Sequence, residues 1–289
     1  MIMKYIILSM RPGQWIKNLL VLAPLIFSKN IHILSKDIKV LMAVILFILI
    51  SGCVYMTNDI FDLENDKNHP VKSKRPLSSG KIKKSKLIYT IVILSITTFI
   101  LAYKINVGLG NIILGYFLLN FIYSILLKRI VILDVMIVAL GFYLRILAGG
   151  VVIDVYPSEW LSLCTILLSL FLVFSKRRHE LVVLENSSNI HRMVLSYYSP
   201  YFIDQMISIV TALTIITYIM YTISDKAIEY FGTRNLIYTN IFVFYGIFRY
   251  LYLVYREEKG GEPVKLMLSD KFLLINILLW AIAVYIIIY

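Results

Sequence analysis

Nine apolar blocks run along the chain, at residues 16–27, 38–56, 87–103, 112–127, 131–152, 160–174, 201–223, 236–255 and 272–289. Most are close to the roughly 20 residues that cross a bilayer as an α-helix. A membrane β-barrel would show short alternating segments instead. The pattern predicts an all-α, polytopic membrane protein with nine transmembrane helices. The first block is the weakest, since Pro24 interrupts it and its length is marginal. Residues 1–10 are apolar but too short to span, and no small-residue cleavage site follows them. They are expected along the membrane interface, ahead of Arg11.

Composition agrees with this pattern. The chain of 289 residues is 60% hydrophobic and 16% charged. Soluble domains are about half apolar and about a quarter charged, so a water-soluble enzyme and a disordered chain are both excluded. The two cysteines, Cys53 and Cys164, lie inside apolar blocks and match no metal or disulfide framework. The net charge of +12 is read as positive-inside loop bias, and no nucleic-acid partner is expected. Of the 29 Lys and Arg residues, only Lys29, Lys36, Lys39, Lys104, Lys226 and Arg234 fall on one side, while Arg145 and Arg249 lie within helices. The rest fall on the other side. This bias places the chain in a cytoplasmic membrane with its N-terminus in, its C-terminus out, and its long charged loops at 58–86 and 176–200 in the cytoplasm. Long polar loops usually carry function, so the active site is expected on the cytoplasmic face.

Five constellations carry candidate chemistry. The strongest is Asn58-Asp59-Ile60-Phe61-Asp62-Leu63-Glu64-Asn65-Asp66, at the end of the second block. On a continuous helix Asn58, Asp62, Asp66 and Asp59 fall within about 100° of one another, and Glu64 points elsewhere. Stacked carboxylates repel unless a cation or protons compensate. Hard oxygen ligands at this density suit Mg²⁺, which binds through one or two carboxylates plus substrate phosphates.

A basic run follows, from His69 to Gly80. Lys81, Lys83, Lys84 and Lys86 read as topological anchors, whereas Arg75, between Lys74 and Pro76, reads as a phosphate ligand. The third constellation, Arg11-Pro12-Gly13-Gln14-Trp15-Ile16-Lys17-Asn18, opens the first block. It is either an anion-binding helix start or an interfacial Trp and Lys anchor. The fourth is Asp134 with Arg145 in the fifth block; an intramembrane Arg faces a polar cavity or pairs with a carboxylate on another helix. The fifth is Lys176-Arg177-Arg178-His179-Glu180 at the end of the sixth block. Cations are favoured at a helix C-terminus in any case, and Glu180 is spaced to pair with Lys176. His179 has no companion ligand and is not read as catalytic.

The Asn-Asp-x-x-Asp-x-x-x-Asp motif, the nine-block pattern and Arg75-Pro76-Leu77-Ser78-Ser79-Gly80 resemble the UbiA superfamily of intramembrane prenyltransferases. The resemblance implies a single domain over residues 1–289, nine helices in a ring around a central cavity, cytoplasmic caps, and Mg²⁺ holding a diphosphate. One branch is more similar still, the decaprenyl-phosphate phosphoribosyltransferases. Arg11–Asn18, Gly141-Phe142-Tyr143-Leu144-Arg145-Ile146-Leu147-Ala148-Gly149-Gly150, Lys176–Leu181, the Gly260-Gly261-Glu262-Pro263 loop and Ser269-Asp270-Lys271 all look like that branch. Ordinary superfamily members carry a second aspartate-rich motif in the sixth-to-seventh loop. Here no Asp lies between Lys176 and Pro200; a basic cluster with Glu180 and Glu185 stands there instead.

The resemblance implies an Mg²⁺-dependent enzyme that moves 5-phosphoribose from phosphoribosyl diphosphate (PRPP) to a polyprenyl phosphate. Asp59, Asp62 and Arg145 are the expected catalytic residues. Asn58, Asp59, Asp62 and Asp66 are the expected metal ligands. Lys17, Asn18, Lys74, Arg75, Tyr123, Lys128, Lys176, Arg177 and Glu180 are the expected substrate contacts. The alternatives are a conventional UbiA enzyme joining an allylic diphosphate to an acceptor, and a transporter. The absent second Asp motif argues against the first. The absence of a duplicated motif argues against the second.

Overall fold

The computed structural model describes residues 2–68, 71–184 and 193–289. Every regular element among these residues is helical, and they divide into two compact units, the first up to residue 157 with 193–194 and the second over 158–184 with 195–289.

The first unit opens with α1 (Ile2–Ser9), a short helix within the stretch expected at the interface. An eleven-residue 3₁₀ helix, Pro12–Leu22, runs into the five-residue α2 (Ala23–Phe27). Next come α3 (Leu34–Phe61), α4 (Leu63–Lys67), a 3₁₀ turn at Lys72–Lys74, α5 (Lys84–Ile105), α6 (Val107–Ile125) and α7 (Leu133–Val151). Asn106 starts α6 by accepting the Leu109 N–H on its side chain, at 3.1 Å. This satisfies one of the donors a helix start leaves unpaired.

α3 is the centre of this unit. Val40, Ala43, Phe47, Ile50, Cys53 and Met56 have no exposed surface, and two thirds of its most apolar 18 residues are buried against 17% for α5. The outward face of α5, with Ile88, Val92, Ile93, Ile96 and Ile100, is exposed and apolar, as a lipid-facing helix must be. Hydroxyls inside the helices are satisfied locally, for example Thr98 Oγ1 donating to Leu94 O at 2.6 Å.

The second unit contains α8 (Glu159–Leu184), α9 (Pro200–Ile223), α10 (Asp225–Phe231), a 3₁₀ turn at Asn235–Thr239, α11 (Asn240–Tyr255), α12 (Pro263–Ser269) and α13 (Lys271–Ile288). Ser199 caps α9 just ahead of Pro200, and Asp270 caps α13 by accepting the Leu273 N–H at 2.8 Å. Gly232, at φ 71°, closes α10 in the left-handed conformation that glycine adopts without strain. Several polar groups inside this unit find one another. Trp280 Nε1 donates to Tyr218 Oη at 2.9 Å, Tyr218 Oη also bonds Thr239 Oγ1, and Asn240 Nδ2 donates to Thr222 Oγ1.

Eight helices among the described residues are long and apolar enough to cross a membrane. The ninth expected span, at residues 16–27, is not one of them. Pro12 and Pro24 each remove a backbone donor, and the segment winds as 3₁₀ before a short α-helix. A 3₁₀ helix rises about 2.0 Å per residue and an α-helix 1.5 Å, so these two pieces together still extend roughly 30 Å. The sequence reading also missed α10 and α12, both too short for apolar periodicity to show.

Candidate functional site

The acidic motif sits where α3 ends. Asp62 leaves helical geometry at φ −93° and ψ 5°, and α4 begins directly after it. The arithmetic of a continuous helix therefore holds for Asn58 and Asp59 but not across Asp62. Asp59 is 1% exposed. Its Oδ1 accepts from Arg11 Nη2 at 2.5 Å and from Arg75 Nη1 at 3.1 Å. Arg75 Nη1 also donates to Asp66 Oδ2, and Lys72 Nζ lies 4.0 Å from Asp66 Oδ1. One guanidinium nitrogen thus draws Asp59 and Asp66 together. Asp62 stands apart: Lys128 Nζ donates to its Oδ1 at 2.5 Å, and Asn58 Nδ2 to its Oδ2 at 3.0 Å. Glu64 points outward as expected and pairs with Lys67.

The local sequence explains how these cations arrive. Arg11 precedes Pro12, which disfavours right-handed helix at position 11, and it takes up φ 55°, ψ 71°. This conformation is costly for a residue with a side chain. It turns the chain from α1 into the 3₁₀ segment, and the guanidinium lies 4.9 Å from the Tyr55 ring centre. Arg75 leads a turn closed by Ser79 Oγ donating to Arg75 O, Ile82 N donating to Pro76 O, and Gly80 at φ 72°. Leu77 and Ile82 are buried. They anchor the Arg-Pro-Leu-Ser-Ser-Gly run so that Arg75 faces the carboxylates.

Asp59 and Asp66 offer hard oxygens converging on one point, which fits a divalent ion held by two carboxylates with phosphate oxygens and water as its other ligands. The four residues Asn58, Asp59, Asp62 and Asp66 do not converge together. Among the described residues, no three His, Cys, Asp or Glu side chains are close enough to hold a metal ion.

Arg145 lies deep in α7, 4% exposed. Nε donates to Asn18 Oδ1 at 2.9 Å, Nη1 to Gly141 O at 2.6 Å and Nη2 to Tyr116 Oη at 2.8 Å. Its guanidinium also faces the rings of Tyr116 and Phe142, at 4.9 Å and 5.3 Å. These hydrogen-bond partners are all neutral, and they join the 3₁₀ segment, α6 and α7. Asn18 is itself buried and donates to Ser51 Oγ at 3.2 Å. Lys17 Nζ lies 5.9 Å from the Phe142 ring. Lys74 is exposed, and Tyr123 is half-buried in the last turn of α6.

In the second unit, Arg177 is buried and donates to Glu180 Oε2 at 2.7 Å, with Lys176 Nζ 3.8 Å from Glu180 Oε1. Arg178 donates through Nε to Asp204 Oδ1 at 2.7 Å, and its guanidinium lies 4.1 Å from the Tyr255 ring centre. Tyr255 Oη donates to the same Asp204 oxygen at 2.9 Å. Arg249 forks onto Asp270, Nε to Oδ1 and Nη2 to Oδ2. His179 packs against the glycine loop: a Cβ at Gly261 would lie 2.5 Å from its ring. Sequence reasoning missed Tyr116, Asp204 and Tyr255, and it singled out Asp270 without its partner Arg249. A lone Asp204 inside an apolar block was the available signal, since buried charges need a partner. His69, Glu185 and Arg192 lie outside the described residues.

An all-helical bundle of apolar spans, with carboxylates and cations gathered at the end of one of them, defines a multi-pass integral membrane protein with a charged site. The sequence profile of the UbiA prenyltransferase family matches residues 21–276, and the chain belongs to that family of transferases. It is 28% identical over 285 residues to a decaprenyl-phosphate phosphoribosyltransferase of Mycobacterium tuberculosis, covering 95% of this chain and 91% of that one. It is 34% identical over 201 residues to the enzyme of the same name from Mycolicibacterium smegmatis, covering 68% of this chain and 63% of that one. The structure of a UbiA homolog from Archaeoglobus fulgidus bound to GPP and Mg²⁺ has a similar fold, with a TM-score of 0.71, 16% identity, and 98% and 96% of the two chains covered.

Proposed function

We propose that the chain transfers 5-phosphoribose from PRPP to a polyprenyl phosphate and releases diphosphate. The supporting observation is the charge balance at the end of α3: four cations, Arg11, Arg75, Lys72 and Lys128, lie against three carboxylates, Asp59, Asp62 and Asp66. A site with cations in excess of carboxylates suits a polyanionic substrate better than a metal alone. The relatives named decaprenyl-phosphate phosphoribosyltransferase, at 28–34% identity, point to the same substrates.

Asp59 and Asp66 would hold Mg²⁺, with Asn58 and Asp62 beside them, and the ion would neutralise the charge of the diphosphate. Arg11, Arg75 and Lys128 would bind non-bridging phosphate oxygens, and Lys17 and Lys74 add positive charge to this region. In the transfer, a lipid phosphate oxygen forms the new bond to C1 of the ribose. The bond from C1 to the diphosphate oxygen breaks, and the diphosphate leaves with the electron pair. The lipid phosphate is already anionic, so no general base is needed. The protein's task is positioning and electrostatics. Attack opposite the leaving group inverts C1 to a β-linkage. Lys176, Arg177 and Glu180 are proposed to bind a metal-free phosphate, that of the ribose 5-position. The site faces the cytoplasm, with the N-terminus in and the C-terminus out, and residues 1–289 act as one enzyme.

The test is incubation of purified protein with Mg²⁺ and either labelled PRPP plus polyprenyl phosphate or labelled prenyl diphosphate plus acceptor. Label appearing in lipid only in the first reaction supports the proposal. Label transferred only from the prenyl diphosphate replaces it with a conventional prenyltransferase.

A further inference from the structure

The 3₁₀ segment Pro12–Leu22 carries Lys17 and Asn18 and follows directly on Arg11, so its seating decides where three of the site's polar groups stand. Two glycines on two different helices lie against its ends. Ahead of it, Met10 packs on Gly52 of α3, where an added Cβ would lie 2.6 Å from Met10 Cε and 2.9 Å from its Cγ. At its far end, the Val21 backbone packs on Gly149 of α7, where an added Cβ would lie 1.9 Å from Val21 O and 2.8 Å from its carbonyl carbon. In a 3₁₀ helix positions i and i+3 lie on one side, and Asn18 and Val21 are the segment's two buried residues. Each glycine sits beside a polar anchor for the same segment. Ser51, next to Gly52, accepts from Asn18, and Arg145, one turn before Gly149, donates to Asn18. Arg11 then reaches Asp59, two turns beyond Gly52 on α3.

We propose that Gly52 and Gly149 are positioning residues, whose missing side chains let the 3₁₀ segment lie directly on α3 and α7 and so set Arg11 against Asp59 and Asn18 against Arg145. Helix propensity gives the opposite expectation. Glycine inside a helix is weaker than alanine by about 1 kcal/mol, so Gly→Ala without a spatial conflict should be neutral or stabilising. Gly115 in α6 provides that comparison, because nothing lies within 4 Å of a Cβ added there.

The experiment compares wild type with Gly115→Ala, Gly52→Ala, Gly52→Ala/Met10→Ala, Gly149→Ala and Gly149→Ala/Met10→Ala. All are purified in detergent and assayed with PRPP, Mg²⁺ and polyprenyl phosphate. Trp15 emission, read in a Trp160→Phe/Trp280→Phe background, reports the seating of the segment without any substrate. Gly115→Ala should match wild type. Gly149→Ala should lose about tenfold or more in kcat/KM, since small misplacements of binding groups are costly, and Trp15 emission should shift with it. Met10→Ala should not restore it, because the obstacle at Gly149 is backbone. Gly52→Ala should also fall, but Met10→Ala should restore most of the loss, because Cε and Cγ are gone and only Met10 Cβ, 3.1 Å from the added carbon, remains. Wild-type kinetics and emission in Gly149→Ala overturn the proposal. If Gly149→Ala does not purify folded, the Gly52 pair decides: no loss in Gly52→Ala, or a loss that Met10→Ala leaves in place, overturns it. The inference rests on the proposed function only through the assay. If wild type transfers nothing from PRPP, that function falls, and Trp15 emission still decides the seating.

Discussion

The two units treat charge differently. In the second unit Arg178 pairs with Asp204 and Arg249 with Asp270, each carboxylate with its own guanidinium from another element, while Glu180 takes Arg177 and Lys176 within α8. In the first unit the partners are shared. Arg75 serves both Asp59 and Asp66, Asp59 takes both Arg11 and Arg75, and Lys72 stands near Asp66 as well. One-to-one pairs fix helices against one another. Shared pairs with cations in excess leave charge that a bound polyanion can complete. Substitution at the shared pairs of the first unit should therefore cost activity, and substitution at the one-to-one pairs of the second should cost stability.

The largest effect is expected at Asp59. Asp59→Asn keeps the shape and removes the charge that draws in Arg11 and Arg75. Transfer should fall by about 10²-fold or more, since lost charge stabilisation at a metal–diphosphate site is worth several kcal/mol. EDTA should stop wild-type turnover, and Mg²⁺ should restore it. Near-normal activity of Asp59→Asn would erase the contrast between the units. Arg75→Lys comes next. It keeps the charge but replaces the fixed, planar guanidinium whose Nη1 meets both carboxylates with a shorter, freely rotating ammonium, so kcat/KM should fall about tenfold to a hundredfold in steady-state assays. Full activity would show that charge alone suffices there.

The sequence made some of this legible and hid the rest for physical reasons. The acidic motif, Arg75 and the apolar spans were visible because each is local: spacing along one helix, or length. The partners of Asp59 were not, because Arg11 is 48 residues away and no periodicity links the two. Asp62 broke the helical arithmetic, since the pivot between α3 and α4 carries no Gly or Pro to announce it. Arg145 was expected at a polar cavity or on a carboxylate. It instead found the neutral atoms of Asn18, Tyr116 and Gly141, held within aromatic rings, and sequence cannot show which rings surround a buried cation. Asp204 was passed over because it stands alone in its block, and the role of Asp270, visible in the Ser269-Asp270-Lys271 run, stayed hidden because its partner Arg249 lies on another helix.

Within the second unit, Lys176 and Asp204 should separate binding from stability. Lys176 is partly exposed, with 43% of its side chain open. Lys176→Gln should raise KM for PRPP about tenfold, one charge-assisted contact being worth roughly 1.5–3 kcal/mol. Asp204→Asn should leave both KM values unchanged and lower the detergent melting temperature, since Arg178 loses its counter-charge and keeps only a neutral acceptor. Steady-state kinetics alongside thermal unfolding tests both. Unchanged KM in Lys176→Gln would reduce Lys176 to a topological anchor.

The smallest effect is expected at Asp270, outside the membrane-spanning segment, and it depends on pH. The hydrogen bond from Arg249 holds the Asp270 carboxyl below its ordinary value of 3.8, against some desolvation, and the Leu273 N–H adds to the lowering. A carboxylate with a depressed folded-state pKa stabilises the fold above its unfolded value, and the contribution is lost as pH falls through the folded one. The pair keeps some contact with solvent, 23% of the Arg249 side chain and 12% of the Asp270 side chain, which screens it in part, so the contribution is a small one. Arg249→Gln removes the main cause of the depression. The gap in melting temperature between wild type and Arg249→Gln should therefore be widest near neutral pH, begin to close below about pH 4, and vanish once Asp270 is protonated in both proteins. Comparing the difference between two proteins cancels the other carboxylates that titrate in the same range. A gap of constant size down to pH 2 would mean that Arg249 acts through its stacking on Tyr252 and Phe272 and not through the ion pair. The second unit's locks would then be aromatic, with charge playing the smaller part.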